Sequence, residues 1–318
     1  MEYAFIINPA SGNGRNAEKL KESLEPYRSE KIRIYYTEGE KDATVLADSI
    51  AKSAASRGET VNVYACGGDG TVQETAIGLL GHANARLGII PVGSGNDFVR
   101  CFDHPELFKN IESQIAAGTD DSDCVHPIDV LEYTYANGDE EMKEYAINGI
   151  NIGFDGNTAI LAHSLKELPL VQGSGSYLLA ILVNLIQKKG TNLKVIADGK
   201  EIYDGALILC TAANGRFCGG GVESCPNAML DNGLIELLLV KDITRRYLVR
   251  VFPAFKAGKL QEIPGVEQHI IPMRAKEITF VPNEGKMKFV ADGEIRETGA
   301  ITVRVLPHKL AVLEPKSL

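Results

Sequence analysis

Between residues 4 and 92 the apolar pattern changes period again and again. Residues 4–8 (AFIIN), 32–37 (IRIYYT), 61–65 (VNVYA) and 87–92 (LGIIPV) read as strands, and 16–27, 42–57 and 71–80 between them read as helices. Such alternation restricts the chain to a parallel sheet joined by helical crossovers, an α/β unit. In such sheets ligands bind beyond the carboxyl ends of the strands. Three of those ends carry glycine and small polar residues: Asn8-Pro9-Ala10-Ser11-Gly12-Asn13-Gly14, Gly67-Gly68-Asp69-Gly70-Thr71 and Gly93-Ser94-Gly95-Asn96-Asp97. One such loop is a weak signal. Three on one sheet edge are a much stronger one.

Near residue 120 the pattern changes. TDDSD (119–123) is polar and turn-forming. Beyond it strand-like runs dominate, at 129–135, 145–152, 193–197, 206–213, 234–240, 277–281, 288–291 and 301–305, with helices expected at 158–168, 176–188 and 245–256. Many strands at irregular spacing suggest an antiparallel β-sandwich with helical insertions. A chain of 318 residues suits two domains. The expected division is an α/β nucleotide-binding domain over 1–124 and a β-sandwich substrate domain over 125–305.

A net charge of −9 argues against a general nucleic-acid binder, which needs a basic face. Cys66, Cys101, Cys124, Cys210, Cys218 and Cys225 show no C-x-x-C spacing, so zinc and disulfide frameworks are disfavoured. Reduced, mostly buried thiols and a cytoplasmic location are expected. A strand pattern begins at once, at 3–7, which leaves no signal peptide in this reading. The longest apolar run, 177–186, spans about ten residues where a membrane-crossing helix needs roughly 20. No histidine falls into a metal or nucleophile pattern, and no serine or cysteine elbow favours a hydrolase.

Glycine lets backbone N–H groups approach a phosphate, and a following helix start adds a dipole that favours anions. GGDGT followed by a helix therefore reads as a nucleotide-phosphate site. The plain alternative is a tight strand-to-helix turn in which Asp69 caps the helix. The Walker spacing and the dinucleotide G-x-G-x-x-G are both absent after the first strand. A carboxylate repels phosphate, so Asp69 makes sense if it binds Mg²⁺ held by phosphates, or orients a water or hydroxyl. Downstream, in KFVADGEIRETGAITVRVLPHKLAVL (288–313), a strand ends at Ala291 and Asp292-Gly293-Glu294 form a turn. An ordinary hairpin would also use Asp-Gly there. Either Glu294 or Asp69 could accept the proton of an attacking alcohol, and residue chemistry leaves that choice open.

INPASGNG, GGDGTVQE, PVGSGNDFVR and DGE, in this order, resemble the diacylglycerol kinase catalytic-domain family, in particular its bacterial soluble lipid kinases. The likeness covers essentially the whole chain. GGDGT alone is not specific, since NAD kinases and phosphofructokinases carry similar loops; GSGNDFVR favours the lipid kinases. The resemblance implies an ATP- and Mg²⁺-dependent kinase that phosphorylates a lipid hydroxyl, foremost diacylglycerol to phosphatidic acid, with ATP bound between the domains. It implies nucleotide contacts from Asn8, Pro9, Ser11, Gly12, Thr37, Gly67, Gly68, Asp69, Gly70, Thr71 and Ser94, with Asn96 and Asp97 as a second loop. Glu294 is implied as general base, with Asp292 and Asp129 as charged neighbours. Residues 306–318 are implied to return to the first domain. Asn13 stands where many relatives have a basic residue, and Arg15 is the nearest cation. A structural Mg²⁺ site is implied at Met229, Asn232 and Leu234, with Asn232 in place of a carboxylate.

A lipid acceptor requires a membrane surface. Residues 241–259 carry Lys241, Arg245, Arg246, Arg250, Lys256 and Lys259 against Asp242, with Leu248, Val251, Phe252 and Phe255 at helical spacing. A basic amphipathic helix can lie on an anionic membrane; the plain alternative is a helix packed on the second domain. Peripheral membrane association is the expectation, and a homodimer is compatible with it. The rival functions are an NAD kinase-like enzyme with a soluble substrate, and a nucleotide-binding regulator without transfer activity.

Overall fold

The parallel sheet forms in register. In the computed structural model, which describes residues 1–13, 15–27, 31–93, 95–119, 122–153 and 190–317, strand β1 (Glu2–Ile7) lies between β2 (Ile32–Tyr36) and β3 (Val61–Gly67). Strand β4 (Ala85–Pro91) follows β3. Ile7 pairs with both Tyr36 and Cys66, and Gly67 pairs with Pro91, so all four strands end at one edge. All seven residues of β3 are buried, as a central parallel strand covered on both faces requires.

The crossovers are α1 (Arg15–Leu24), α2 (Asp42–Ser56) and α3 (Asp69–Leu79), followed by α4 (Ile111–Ala117). Helix α2 buries Ala43, Ala47, Ile50, Ala51 and Ala54, a stripe at helical spacing. Its small side chains let it close on α3, where Thr44 Oγ1 donates to the Glu74 carbonyl at 2.9 Å. On the other side of the sheet Tyr64 stacks on Phe5 at 4.6 Å, and its hydroxyl donates to the Gln114 carbonyl at 2.8 Å.

The chain divides into two compact units, Met1–Asp129 with His308–Leu318, and Val130–Pro307. The divisions thus fall a few residues beyond the expected 124/125 and 305/306. The second unit contains most of β5 (Val125–Asn137), then β6 (Glu140–Ala146), β7 (Gly149–Gly153), β8 (Thr191–Ala197), β9 (Lys200–Ala213), β10 (Ile235–Lys241) and helix α5 (Arg245–Lys256). Strands β11 (Ile270–Ala275), β12 (Glu277–Pro282), β13 (Met287–Ala291), β14 (Glu294–Thr298) and the first part of β15 (Ile301–Leu313) complete it. β15 ends in the first unit, where Val312 pairs in parallel with Leu87. The whole is an α/β parallel-sheet unit followed by an antiparallel β-sandwich. The helices expected at 158–168 and 176–188 lie outside the described residues.

Long strand β9 changes partners along its length. Its first half pairs with β8, and its second half lies between β7 and β10. The unbroken apolar run of β10 follows from this placement. Ile235, Leu237 and Leu239 face the sandwich core, while Leu238 and Val240 face a second core under α5. Helix α5 is capped by Thr244, whose side chain accepts the Tyr247 N–H, and it buries Leu248, Val251 and Phe255 against that second core. Full burial of each such side chain stabilises by roughly 1.5–3 kcal/mol.

The strands depart from the sequence reading in three ways. Strands β11 and β14 were not expected; both are short, and β14 is open to solvent along most of its length, with only Thr298 buried. Strand β15 runs to Leu313 rather than Val305. The single strand expected over 145–152 breaks into β6 and β7. The break lies where the Asp292 carboxylate accepts the backbone N–H groups of Ile147 (2.6 Å), Asn148 (3.1 Å) and Gly149 (2.8 Å). Those amides bond to a side chain instead of a neighbouring strand. Asp292→Ala would leave three backbone donors without this acceptor. It is expected to lower the unfolding free energy by about 2–4 kcal/mol, read as a fall in the urea midpoint. A midpoint equal to wild type would show that the carboxylate does not anchor this corner.

Candidate functional site

The strand order β2-β1-β3-β4 reverses direction between β1 and β3, the topological switch point where open α/β sheets bind ligands. The loops after β1 and β3 flank that point. Asn8 ties them together: its N–H donates to the Cys66 carbonyl at 3.0 Å, and its Nδ2 donates to Thr71 Oγ1 at 3.1 Å. Asn8 Oδ1 accepts the Ala10 N–H at 2.9 Å, which turns Pro9 and Ala10 away from the strand. Ser11–Asn13 form a 3-10 turn with Gly12 at φ 62, and the Thr37 N–H continues the edge by donating to the Ile7 carbonyl at 3.0 Å.

GGDGT is not a free turn. Gly67 ends β3, Gly68 is the N-cap residue of α3, and Asp69 is already in the helix, two residues earlier than the sequence suggested. No side chain caps this helix start. A helix N-terminus leaves N–H groups without intrahelical partners and carries partial positive charge. Gly70 and Thr71 lie within the same first turn.

The Asp69 side chain points to the third loop. Oδ2 accepts the Asn96 N–H at 2.9 Å, and Oδ1 accepts the Asp97 N–H at 3.0 Å. This explains the loop's composition. Asn96 sits at φ 52, a conformation that asparagine tolerates better than most residues, and its Nδ2 donates to the Gly93 carbonyl at 2.8 Å. A Cβ on Gly95 would lie 2.6 Å from Asp69 Oδ2, and one on Gly93 would lie 2.7 Å from the Gly68 Cα. Arg100 closes the loop by donating from Nε to the Gly95 carbonyl at 3.2 Å. Ser94 lies outside the described residues.

The structure thus joins Asn8, Thr71, Asp69, Asn96 and Asp97 in one network within the first unit. Each Asp69 oxygen holds a backbone amide, so the carboxylate that the sequence reading gave to Mg²⁺, a water or a hydroxyl also organises the third loop. Burial pushes the Asp69 carboxyl above its ordinary value, while the N–H groups of Asn96, Asp97, Asp69 itself and Phe98 pull against that shift.

The other acidic residues are less alike than the sequence implied. Asp129 is fully buried, and its Oδ1 accepts the His308 N–H at 3.0 Å, which fastens β5 to β15 in the first unit. Asp292 and Gly293 form the turn between β13 and β14, both at positive φ, and Asp292 anchors the 147–149 corner. Glu294 is the first residue of β14 rather than part of the turn; its side chain is 59% exposed and lies 3.5 Å from Arg296 Nη1. Arg296 also meets Glu144 Oε2 at 3.3 Å. The sequence reading missed both partners. Arg296 had a signal, since it stands two residues from Glu294 and shares its strand face; Glu144 had none, because it comes from β6.

At the expected structural Mg²⁺ site, Asn232 Oδ1 accepts the Leu234 N–H at 2.9 Å. Met229 is exposed, and it and Leu234 can offer a hard cation only backbone carbonyls. This neutral donor set does not fit a Mg²⁺ site, which prefers carboxylate oxygen. Among the described residues there is no cluster of three or more His, Cys, Asp or Glu side chains suited to a metal.

Residues 2–132 match the model of the diacylglycerol kinase catalytic domain, and residues 148–314 match that of the YegS C-terminal NAD kinase beta sandwich-like domain. The chain belongs to the diacylglycerol kinase catalytic-domain family. A protein of Mycobacterium tuberculosis named diacylglycerol kinase is 28% identical over 314 residues, covering 98% of this chain and 94% of that one. A Bacillus subtilis protein of the same name is 29% identical, covering 91% and 88%. A Klebsiella pneumoniae protein named as a probable YegS-like lipid kinase is 29% identical, covering 73% and 72%. The fold is shared with a crystal structure of a diacylglycerol kinase from Bacillus anthracis, at a TM-score of 0.66 and 22% identity over 98% of this chain and 96% of that one. It is shared more distantly with yeast NADH kinase complexed with NADH, at 0.51 and 13% over 100% and 84%. Family membership marks the chain as a kinase and a nucleotide user. No helix among the described residues is long and apolar enough to cross a membrane.

The half-buried Asp69 carboxylate should leave a signature in stability. Its folded pKa lies above its unfolded value, so the protonated form favours the fold. That contribution is complete below the unfolded pKa of about 3.9 and is lost as pH rises through the folded value. Asp69→Asn is neutral throughout. The difference in Tm, variant minus wild type, should therefore rise between about pH 4 and pH 7, while ATP affinity falls because the clasp on the Asn96 and Asp97 amides is weakened. Thermal melts across that range, with ATP titrations, check both. A Tm difference that stays flat or falls would contradict the reading of Asp69.

Proposed function

We propose that the protein transfers the γ-phosphoryl group of ATP to a lipid hydroxyl, with diacylglycerol as acceptor and phosphatidic acid as product. The observation that carries this reading is the gathering of three glycine-bearing loops at one sheet edge, tied by Asn8 to Thr71 and by Asp69 to Asn96 and Asp97 around the start of α3. Phosphoryl transfer needs positioning and charge neutralisation more than covalent chemistry. The substrate is MgATP, whose cation neutralises developing charge on the transferred group. The loop amides and the α3 N-terminus are suited to hold the phosphates. The names of the relatives support a lipid, and specifically diacylglycerol, as acceptor.

In this reading the lipid oxygen bonds to the γ-phosphorus, ADP leaves, and the hydroxyl proton passes to the Glu294 carboxylate. Glu294 is preferred to Asp69 because it is exposed, whereas both Asp69 oxygens hold backbone amides. Vesicles containing diacylglycerol and free NAD, each supplied with labelled ATP, separate lipid kinase from NAD kinase. Label is expected in the lipid. Label in NAD instead, or no ADP production with any lipid, would sink the proposal. Glu294→Gln should lower kcat by about 10²- to 10⁴-fold, equivalent to roughly 3–5 kcal/mol, with ATP affinity near wild type.

Docking on an anionic membrane is part of the proposal. Arg245, Arg246, Arg250 and Lys256 are exposed on α5, and Val249 beside them is a 57% exposed apolar residue. Each basic residue near such a surface contributes about 1 kcal/mol. Arg245→Glu with Arg246→Glu should weaken sedimentation with anionic vesicles and reduce its salt sensitivity. Unchanged sedimentation would remove α5 from the docking surface.

A further inference from the structure

Glu294 begins β14, an edge strand among the described residues, and more than half of its side chain is in solvent. Nothing in its own backbone would hold such a chain in one rotamer, and freezing a long side chain costs entropy. A base must nevertheless keep its oxygen within hydrogen-bond reach of the proton it takes. The group that meets this need is two residues away. Side chains at i and i+2 of a strand share a face, so Arg296 stands beside Glu294, while Ile295 and Glu297 point to the opposite side.

Arg296 is itself held. Nη1 lies 3.5 Å from Glu294 Oε2 and donates to the Ile295 carbonyl at 3.1 Å, while Nε donates to Glu144 Oε2 at 3.3 Å. Glu144 in turn accepts the hydroxyls of two tyrosines on β5, from Tyr133 at 2.7 Å and from Tyr135 at 3.2 Å. Tyr133 is 1% exposed, stacks on Tyr135 at 6.1 Å and meets the Phe289 ring edge-on at 5.8 Å. Phe289 is the register partner of Arg296 on β13. Burial, followed by the Glu144 carboxylate, pushes the Tyr133 phenol far above its ordinary value, so it stays a donor. The chain of contacts runs from a rigid aromatic core through a carboxylate and a guanidinium to the exposed carboxylate.

We propose that Arg296, locked by Glu144 and the Tyr133 and Tyr135 hydroxyls, is the positioning residue that orients the Glu294 carboxylate for proton transfer. This rests on the reading of Glu294 as base. Arginine is suited to the task because its planar fork presents Nε to one carboxylate and Nη1 to the other, whereas lysine offers a single point charge. Misplacing a reacting group by about 1 Å can cost about 100-fold in rate.

The test is a double-mutant cycle on the full chain, with diacylglycerol vesicles and ATP. Arg296→Gln is expected to lower kcat by about 10- to 100-fold with the KM for ATP unchanged. In the Glu294→Gln background the same substitution should change kcat by less than about twofold, because there is no base left to orient. A residue that only braces β14 against β6 would cost the same factor in both backgrounds, and that result overturns the proposal. So does a wild-type kcat in Arg296→Gln. Arg296→Lys provides a second variant that retains the charge; it should lose most of the same activity because it lacks the fork, and full activity in it overturns the proposal. If Glu294→Gln alone keeps wild-type kcat, the assignment of the base fails instead. Melting curves of each variant confirm that folded protein is compared.

Discussion

The first unit depends on one carboxylate that is bonded to backbone. Asp69 leaves its helix start and takes the Asn96 and Asp97 amides, so the third loop is fixed to the turn that begins α3. Gly95 must lack a Cβ for that approach, Asn96 must turn through positive φ, and Arg100 closes the other side. Burial makes the ionised Asp69 costly, and its amide partners return part of that cost. In the proposed function, bonds already made among these loops would reduce the ordering cost of holding a phosphate.

The second unit uses a similar device at Asp292. A carboxylate at the head of a hairpin takes the amides of Ile147, Asn148 and Gly149 and so ends one strand and starts another. In both units an acidic residue in a glycine-containing motif is spent on backbone. Glu294 by contrast remains in solvent, and the group beside it, Arg296, is tied to the aromatic core through Glu144. This separates the carboxylates that organise the chain from Glu294, the one we propose for chemistry.

The architecture was largely legible in the amino-acid pattern because burial imposes periods. Four parallel strands, their crossovers and the α5 helix follow from apolar spacing, and α5 lies where its amphipathic stripe placed it. The strand end at Gly67 and the loops Asn8–Asn13 and 93–97 were visible because glycine and asparagine mark backbone that must bend. The motifs in order also pointed to the family that residues 2–132 and 148–314 match.

Tertiary structure alone decided what the polar groups do. Sequence spacing could not show that Asp69 would bond across 27 positions to Asn96, or Asp292 across 145 to Ile147, because hydrogen-bond partners are chosen by where strands lie side by side. It could not show that Glu144 would meet Arg296 either, since the two are 152 residues apart. Period and composition report which atoms avoid water, and that is a local property of the chain. Which donor meets which acceptor depends on the register of strands that come together only once the chain is folded.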